Sequence, residues 1–292
     1  MVDVGTTTER RRAARTAARI TSAATPVGAT RWATVTGEHS WPVVIVALIA
    51  ITAAEATLVF GALAAGTVAV GAVAYAFALV AFLSAYLAWT REPARRLLLA
   101  LALVPIVRLL SLSLPSLLVP ILDWYVLIGI PALLGILLVA RTLRLRPADL
   151  GLGRPRRIRP HVLTASSGLL LGLPAYLISR PDPMVATPTP FLIVQAAVIL
   201  AVFGGFLEEV LYRGLIQSVA SSVLARGGII VSSLTTTIMY ASSLNVRYIL
   251  FMTLVAIFFG LVVRRTGSIA GTTGAHAILL VTQLVVWPLA IG

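Results

Sequence analysis

The chain has 292 residues, of which 59% are hydrophobic and 11% charged, and it contains no cysteine. Its net charge of +13 is carried by arginine alone, because the sequence holds no lysine. So much apolar surface excludes a soluble domain, and the lack of thiols excludes disulfides and thiolate metal sites.

Residues 1–40 are polar, with arginines at 10, 11, 12, 15 and 19 and no apolar run before Trp41. That spacing does not suit a signal peptide, and the segment reads as a disordered basic cytoplasmic tail able to touch anionic lipid. Nine apolar segments follow at 42–63, 66–89, 97–119, 121–140, 161–179, 191–212, 228–245, 248–263 and 267–288. Each is close to the roughly 17–25 residues a membrane helix needs, so the expected fold is an all-α polytopic membrane protein of about nine spans. Pro105 and Pro115 predict a kink in the third span. The chain divides into a four-helix region at 41–140, a basic loop at 141–160 and a membrane domain at 161–292. With the tail inside, nineteen arginines fall in inner segments and two, Arg180 and Arg247, in outer ones. This positive-inside bias predicts a cytoplasmic N-terminus, in a bacterial cytoplasmic membrane. It also excludes nucleic acid as a partner, because the basic residues are spread over five cytoplasmic segments.

Few polar groups lie at membrane depth. Glu208, Glu209 and Arg213 interrupt an apolar run, where a lone charge costs about 3 kcal/mol on insertion scales. Glu209 and Arg213 are four apart on a helix and can pair, whereas Glu208, rotated by about 100°, is left free. Glu55 and Arg108, midway along the first and third spans, are cheapest as a structural ion pair with each other. Asp123, Trp124 and Tyr125 read as an interfacial belt. The hydroxyl-rich seventh span (Ser232, Ser233, Thr235, Thr236, Thr237) suits close helix approach. Counting the rise from the inner loops puts Glu208 about 27 Å deep, Ser243 about 22 Å and His276 about 14 Å, so Glu208 and Ser243 share a layer on this count. Gln283, seven residues after His276, lies on nearly the same face.

Glu208-Glu209-x-x-x-Arg213, with Thr266-Gly267-Ser268-Ile269 and then His276, resembles the first and last motifs of the CPBP family (CAAX-protease and bacteriocin-processing, or Abi, intramembrane proteases). The Leu150-Gly151-Leu152-Gly153-Arg154-Pro155 stretch is also similar, and the resemblance covers about residues 148–288. It implies peptide-bond hydrolysis with Glu208 as the base, supported by Glu209 and Arg213, and with His276 as the oxyanion donor. Two positions depart from the pattern. The second motif, Phe-x-x-x-His, reads Met239-Tyr240-Ala241-Ser242-Ser243, and the residue four after His276 is Leu280 in place of asparagine. Ser243, Asn245 and Gln283 are the candidate substitutes. The resemblance implies membrane lipid and a membrane-associated peptide or protein as partners. The alternatives are a catalytically inactive member acting as a binding or immunity-type protein, and a small proton-coupled carrier in which Glu55, Arg108 and the two glutamates, Glu208 and Glu209, move protons or solute. A divalent metal would have Glu208, Glu209 and His276 as ligands, short of a nitrogen-rich zinc set.

Overall fold

The computed structural model describes residues 41–89, 92–114, 119–155, 157–185 and 187–291. The expected basic tail at 1–40 and Pro115 lie outside the described residues. Nine helical segments run in chain order: α1 Trp41–Ala65, α2 Ala69–Ala88, α3 Glu92–Ser113, α4 Ile121–Thr142, α5 Ile158–Ser179, α6 Pro190–Leu224, α7 Gly227–Met239, α8 Val246–Thr266 and α9 Ala270–Ile291. Among the described residues, eight of these are long and apolar enough to cross a membrane. The exception is α7, a 13-residue helix. It continues through Tyr240 and the 3₁₀ turn Ala241–Ser243 to Asn245, whose Nδ2 donates to the Ile178 carbonyl at 2.9 Å near the end of α5. The short helix and its extension thus reach the level where a full span ends.

Local chemistry sets the breaks. Gly66, at φ +59°, ends α1 while Thr67 N donates to the Gly61 carbonyl, a left-handed glycine stop. Within α3 the regular helix is interrupted at Ala102, because Pro105 has no N–H to offer the Leu101 carbonyl. Thr189 caps α6 by accepting from Leu192 N, and Pro190 takes the first turn, where its missing N–H costs nothing. Asn245 caps α8 by accepting from Tyr248 N at 3.1 Å.

Apart from the amphipathic start of α3, with Glu92, Arg95 and Arg96, most of the helices are apolar on every side, so burial distinguishes their packed faces. On α1 these are Val44, Ala47, Ile51, Ala54, Glu55 and Leu58. One apolar cluster joins α1–α4 to Leu207–Leu224 of α6, and a second joins α5, α8 and α9 to Ala196 and Leu200 of the same helix. α6 therefore belongs to both. The 141–160 loop folds inward: Leu150 is buried, the Gly151 carbonyl accepts from Ile269 N at 3.0 Å, and a Cβ on Gly214 would lie 2.9 Å from the Leu150 carbonyl. This loop forms a floor against α6 and the start of α9.

Glu55 and Arg108 meet inside the first cluster. Arg108 Nε donates to Glu55 Oε2 at 3.0 Å, its Nη2 to Oε1, and Tyr75 of α2 donates to Oε2 at 2.5 Å. Both carboxylate oxygens are engaged and Glu55 is fully buried, so the pair clamps α1, α2 and α3 together. Removing one partner of a buried pair strands the other charge. Glu55→Gln is therefore expected to cost about 3–5 kcal/mol in thermal unfolding in detergent, and Tyr75→Phe about 1–2 kcal/mol. A Tyr75→Phe protein less stable than Glu55→Gln would contradict this order.

Candidate active site

The site is built on an irregular part of α6. Two π-helical stretches, Leu200–Phe206 and Glu209–Ile216, flank Leu207 and Glu208. Such wider turns re-aim side chains and recur at functional sites. Here they place the two glutamates in different surroundings. Glu209 is completely buried, whereas the Glu208 side chain is 29% exposed.

Glu209 Oε1 lies 3.2 Å from Arg213 Nη1 and 3.2 Å from His276 Nδ1. The Arg213 guanidinium also lies 5.8 Å from the Phe259 and Tyr212 ring centres, which adds a cation–π contribution. One turn on, Gln217 Nε2 donates to the Gly260 carbonyl at 2.9 Å, tying α6 to α8. A carboxylate can only accept hydrogen bonds, so the contact with Glu209 puts the His276 proton on Nδ1 in the neutral ring. His276 Nε2 then faces Glu208, 3.8 Å from its Oε2. That nitrogen is buried and has no hydrogen-bond partner of its own, so the open approach to the pair is on the Glu208 side.

Small residues make the approach of α9 possible. A Cβ on Gly205 would lie 2.7 Å from Ala277 N, and one on Gly204 would lie 2.4 Å from Leu280 Cδ1. On the other side of α9, Gly168 and Gly172 of α5 stand against the Ala275 carbonyl and Thr282. Thr266-Gly267-Ser268-Ile269 sets the start of that helix. Gly267 takes φ +69° to end α8, Ser268 Oγ accepts from Ala270 N, and Ile269 docks on Gly151.

The expected substitutes do not converge as the sequence suggested. Ser243 is exposed in the 3₁₀ turn after α7, where its Oγ accepts from Asn245 N. It lies beyond the end of α7. The depth count failed because the 141–160 loop folds inward. Gly214 and Ile269, both against that loop, are only six and seven residues from Glu208 and His276. Asn245 serves as the α8 cap described above. Gln283 is buried and donates to Tyr248 Oη at 3.1 Å and Ser179 Oγ at 2.9 Å. Leu280 is buried over Gly204 and offers no donor.

The residue that faces Glu208 from the next helix is Tyr240, whose hydroxyl donates to Oε2 at 3.3 Å. Its ring meets Tyr248 edge-on at 5.7 Å between centres. Tyr125 of α4 and Tyr212 of α6 are also within electrostatic reach of Glu208, and the Tyr125 ring packs beside Gly204 of α6. The available signal was a row of tyrosines inside apolar spans, each an apolar ring with a polar tip. Matching the second motif by Met239 as its aromatic position concealed it. The hydroxyl residues of α7 do knit helices: Ser232 Oγ donates to the Tyr212 carbonyl at 2.8 Å, and Thr237 and Thr253 pair at 2.9 Å. Among the described residues no group of three or more His, Asp or Glu side chains is arranged to hold a metal ion.

The α6–α9 contact can be tested alone. Gly205→Ala drives a methyl into the α9 backbone and is expected to cost about 1–3 kcal/mol. Gly153→Ala, with nothing nearer than 3.8 Å, is expected to be neutral. Thermal unfolding of both in detergent checks this, and equal stabilities would refute the close contact.

Comparison with known proteins agrees with this architecture. Residues 190–281 match the family described as type II CAAX prenyl endopeptidase Rce1-like, a stretch shorter than half of the chain. No curated protein and no solved structure gave a match. The matched stretch opens at the start of α6 and ends within α9, so it holds Glu208, Glu209, Arg213, Tyr240 and His276 together. Residues 190–281 of this integral membrane protein thus carry an Rce1-like domain, as the resemblance to CPBP membrane proteases implies.

Proposed function

We propose that the protein is an intramembrane endopeptidase that hydrolyses a membrane-associated peptide or protein, with Glu208 as general base. The observation that carries this reading is the separation of 3.8 Å between Glu208 Oε2 and His276 Nε2, with the imidazole held from behind by Glu209. A partly open carboxylate and an oriented imidazole together can take the proton of a water as it attacks a carbonyl. Glu209 and Arg213 are positioning residues in this scheme, because Glu209 is fully buried and Arg213 is 3% exposed. The arginine count supports a cytoplasmic N-terminus, and with it a site near the cytoplasmic face of a bacterial cytoplasmic membrane.

A second reading is a binding protein without turnover. It is favoured by Leu280, which puts an apolar side chain where the CPBP pattern has an oxyanion donor. The two are separated by cleavage of a membrane-peptide library in proteoliposomes. Glu208→Gln is expected to lower the rate by about 10²–10⁴ while the protein stays folded. Equal background cleavage by wild type and Glu208→Gln would overturn the enzyme reading and leave the binding one.

A further inference from the structure

We infer that Tyr240 is the oxyanion donor of this site, taking over work that an imidazole and an amide perform in the CPBP pattern. The inference rests on Glu208 acting as base, and it follows from a count of the donors around that carboxylate. In the neutral ring His276 commits its proton to Glu209, so the nitrogen facing Glu208 can only accept. Arg213 is paired with Glu209 and buried behind it. Leu280 has nothing to donate. Tyr248 shares its hydroxyl with Gln283, donating to Oε1 at 3.4 Å and accepting from Nε2 at 3.1 Å. Tyr125 and Tyr212 are within electrostatic reach of Glu208 but make no hydrogen bond to it, so among the described residues the side-chain hydroxyl hydrogen-bonded to Glu208 is that of Tyr240.

The position is fixed. Tyr240 follows the last turn of α7, its N–H donating to the Thr237 carbonyl at 3.1 Å, and its ring lies edge-on to Tyr248. Tyr248 is in turn held by Gln283, and Gln283 by Ser179. Before reaction the phenol donates to Glu208 and holds the carboxylate in place. When water attacks, its oxygen bonds to the scissile carbon, one water proton passes to Glu208, and the carbonyl π pair moves onto the oxygen. Glu208 is then neutral and a poorer acceptor, while the new oxyanion is a better one. The Tyr240 O–H turns from the first to the second without leaving its oxygen. On collapse the C–N bond breaks, and the proton held by Glu208 goes to the departing amine. Water is consumed and a carboxylic acid and an amine are produced.

The test compares wild type, Tyr240→Phe, Tyr240→His and Glu208→Gln in proteoliposomes, on a peptide that wild type cleaves in a Glu208-dependent manner. Thermal unfolding is followed alongside. Tyr240→Phe keeps the ring and its packing on Tyr248 and loses one hydrogen bond to a partly exposed carboxylate, so its stability is expected to fall only slightly. Its kcat is expected to fall about 10²–10³-fold with KM within about twofold, the loss typical of one oxyanion donor. Tyr240→His restores a ring N–H and is expected to recover at least tenfold of that loss. A Tyr240→Phe protein with wild-type kcat would overturn the inference and leave Glu208 as base. Loss of cleavage together with stability, without recovery in Tyr240→His, would also overturn it by assigning Tyr240 a packing role. Wild type without Glu208-dependent cleavage of any peptide would overturn both this inference and the reading beneath it.

Discussion

The arrangement depends on one buried carboxylate. Glu209 has no exposure at all, and a charge so placed is tolerable only if it is paired and hydrogen-bonded. Its partners come from two elements, Arg213 on the same helix and His276 on α9. Satisfying it therefore requires α6 and α9 to come within side-chain reach. That requirement explains the glycines at 204 and 205 against α9, and those at 168 and 172 on its opposite side. The small residues are spaced by the needs of a charge as much as by helix packing in lipid.

The same demand accounts for the irregular winding of α6. A regular helix presents neighbours about 100° apart and leaves little freedom to bury one glutamate completely and open the next. The π turns on either side of Leu207 and Glu208 loosen that constraint. The cost in regular hydrogen bonding is offset partly across helices. Ser232 of α7 adds a bond to the Tyr212 carbonyl, and Gln217 reaches the Gly260 carbonyl on α8. The distortion is thereby knitted into its neighbours.

Much of this was legible in the sequence because the physics is local. Apolar length gave the spans, and the spacing of Glu209 and Arg213 gave the pair. The costs of Glu55 and Arg108 in lipid directed each towards the other. What the sequence hid was non-local. The 141–160 stretch, rich in arginine and proline, reads as a solvent loop, yet Leu150 and Gly151 tuck beneath α6 and α9. Depth counted from Arg226 therefore put Glu208 far from His276, although the two are neighbours. Tyr240 was passed over for a related reason. Its role depends on where α7 stops and which way its last turn faces, and neither is encoded in a pattern of residue types. Ser243 fitted the spacing of a motif but lies past the end of the helix that would have presented it.

The inward fold of that loop has a geometric consequence. Gly214 and Ile269 rest on it, and Glu208 and His276 stand two helical turns above, on helices gripped by glycine contacts that leave no room to slide. The height of Glu208 and His276 over the loop is thus built into the scaffold as on a ruler. For the proposed reaction, the scissile bond must come to that height. Under that proposal, selection among substrates would act through how far a bond reaches towards the pair and how readily its backbone unwinds there.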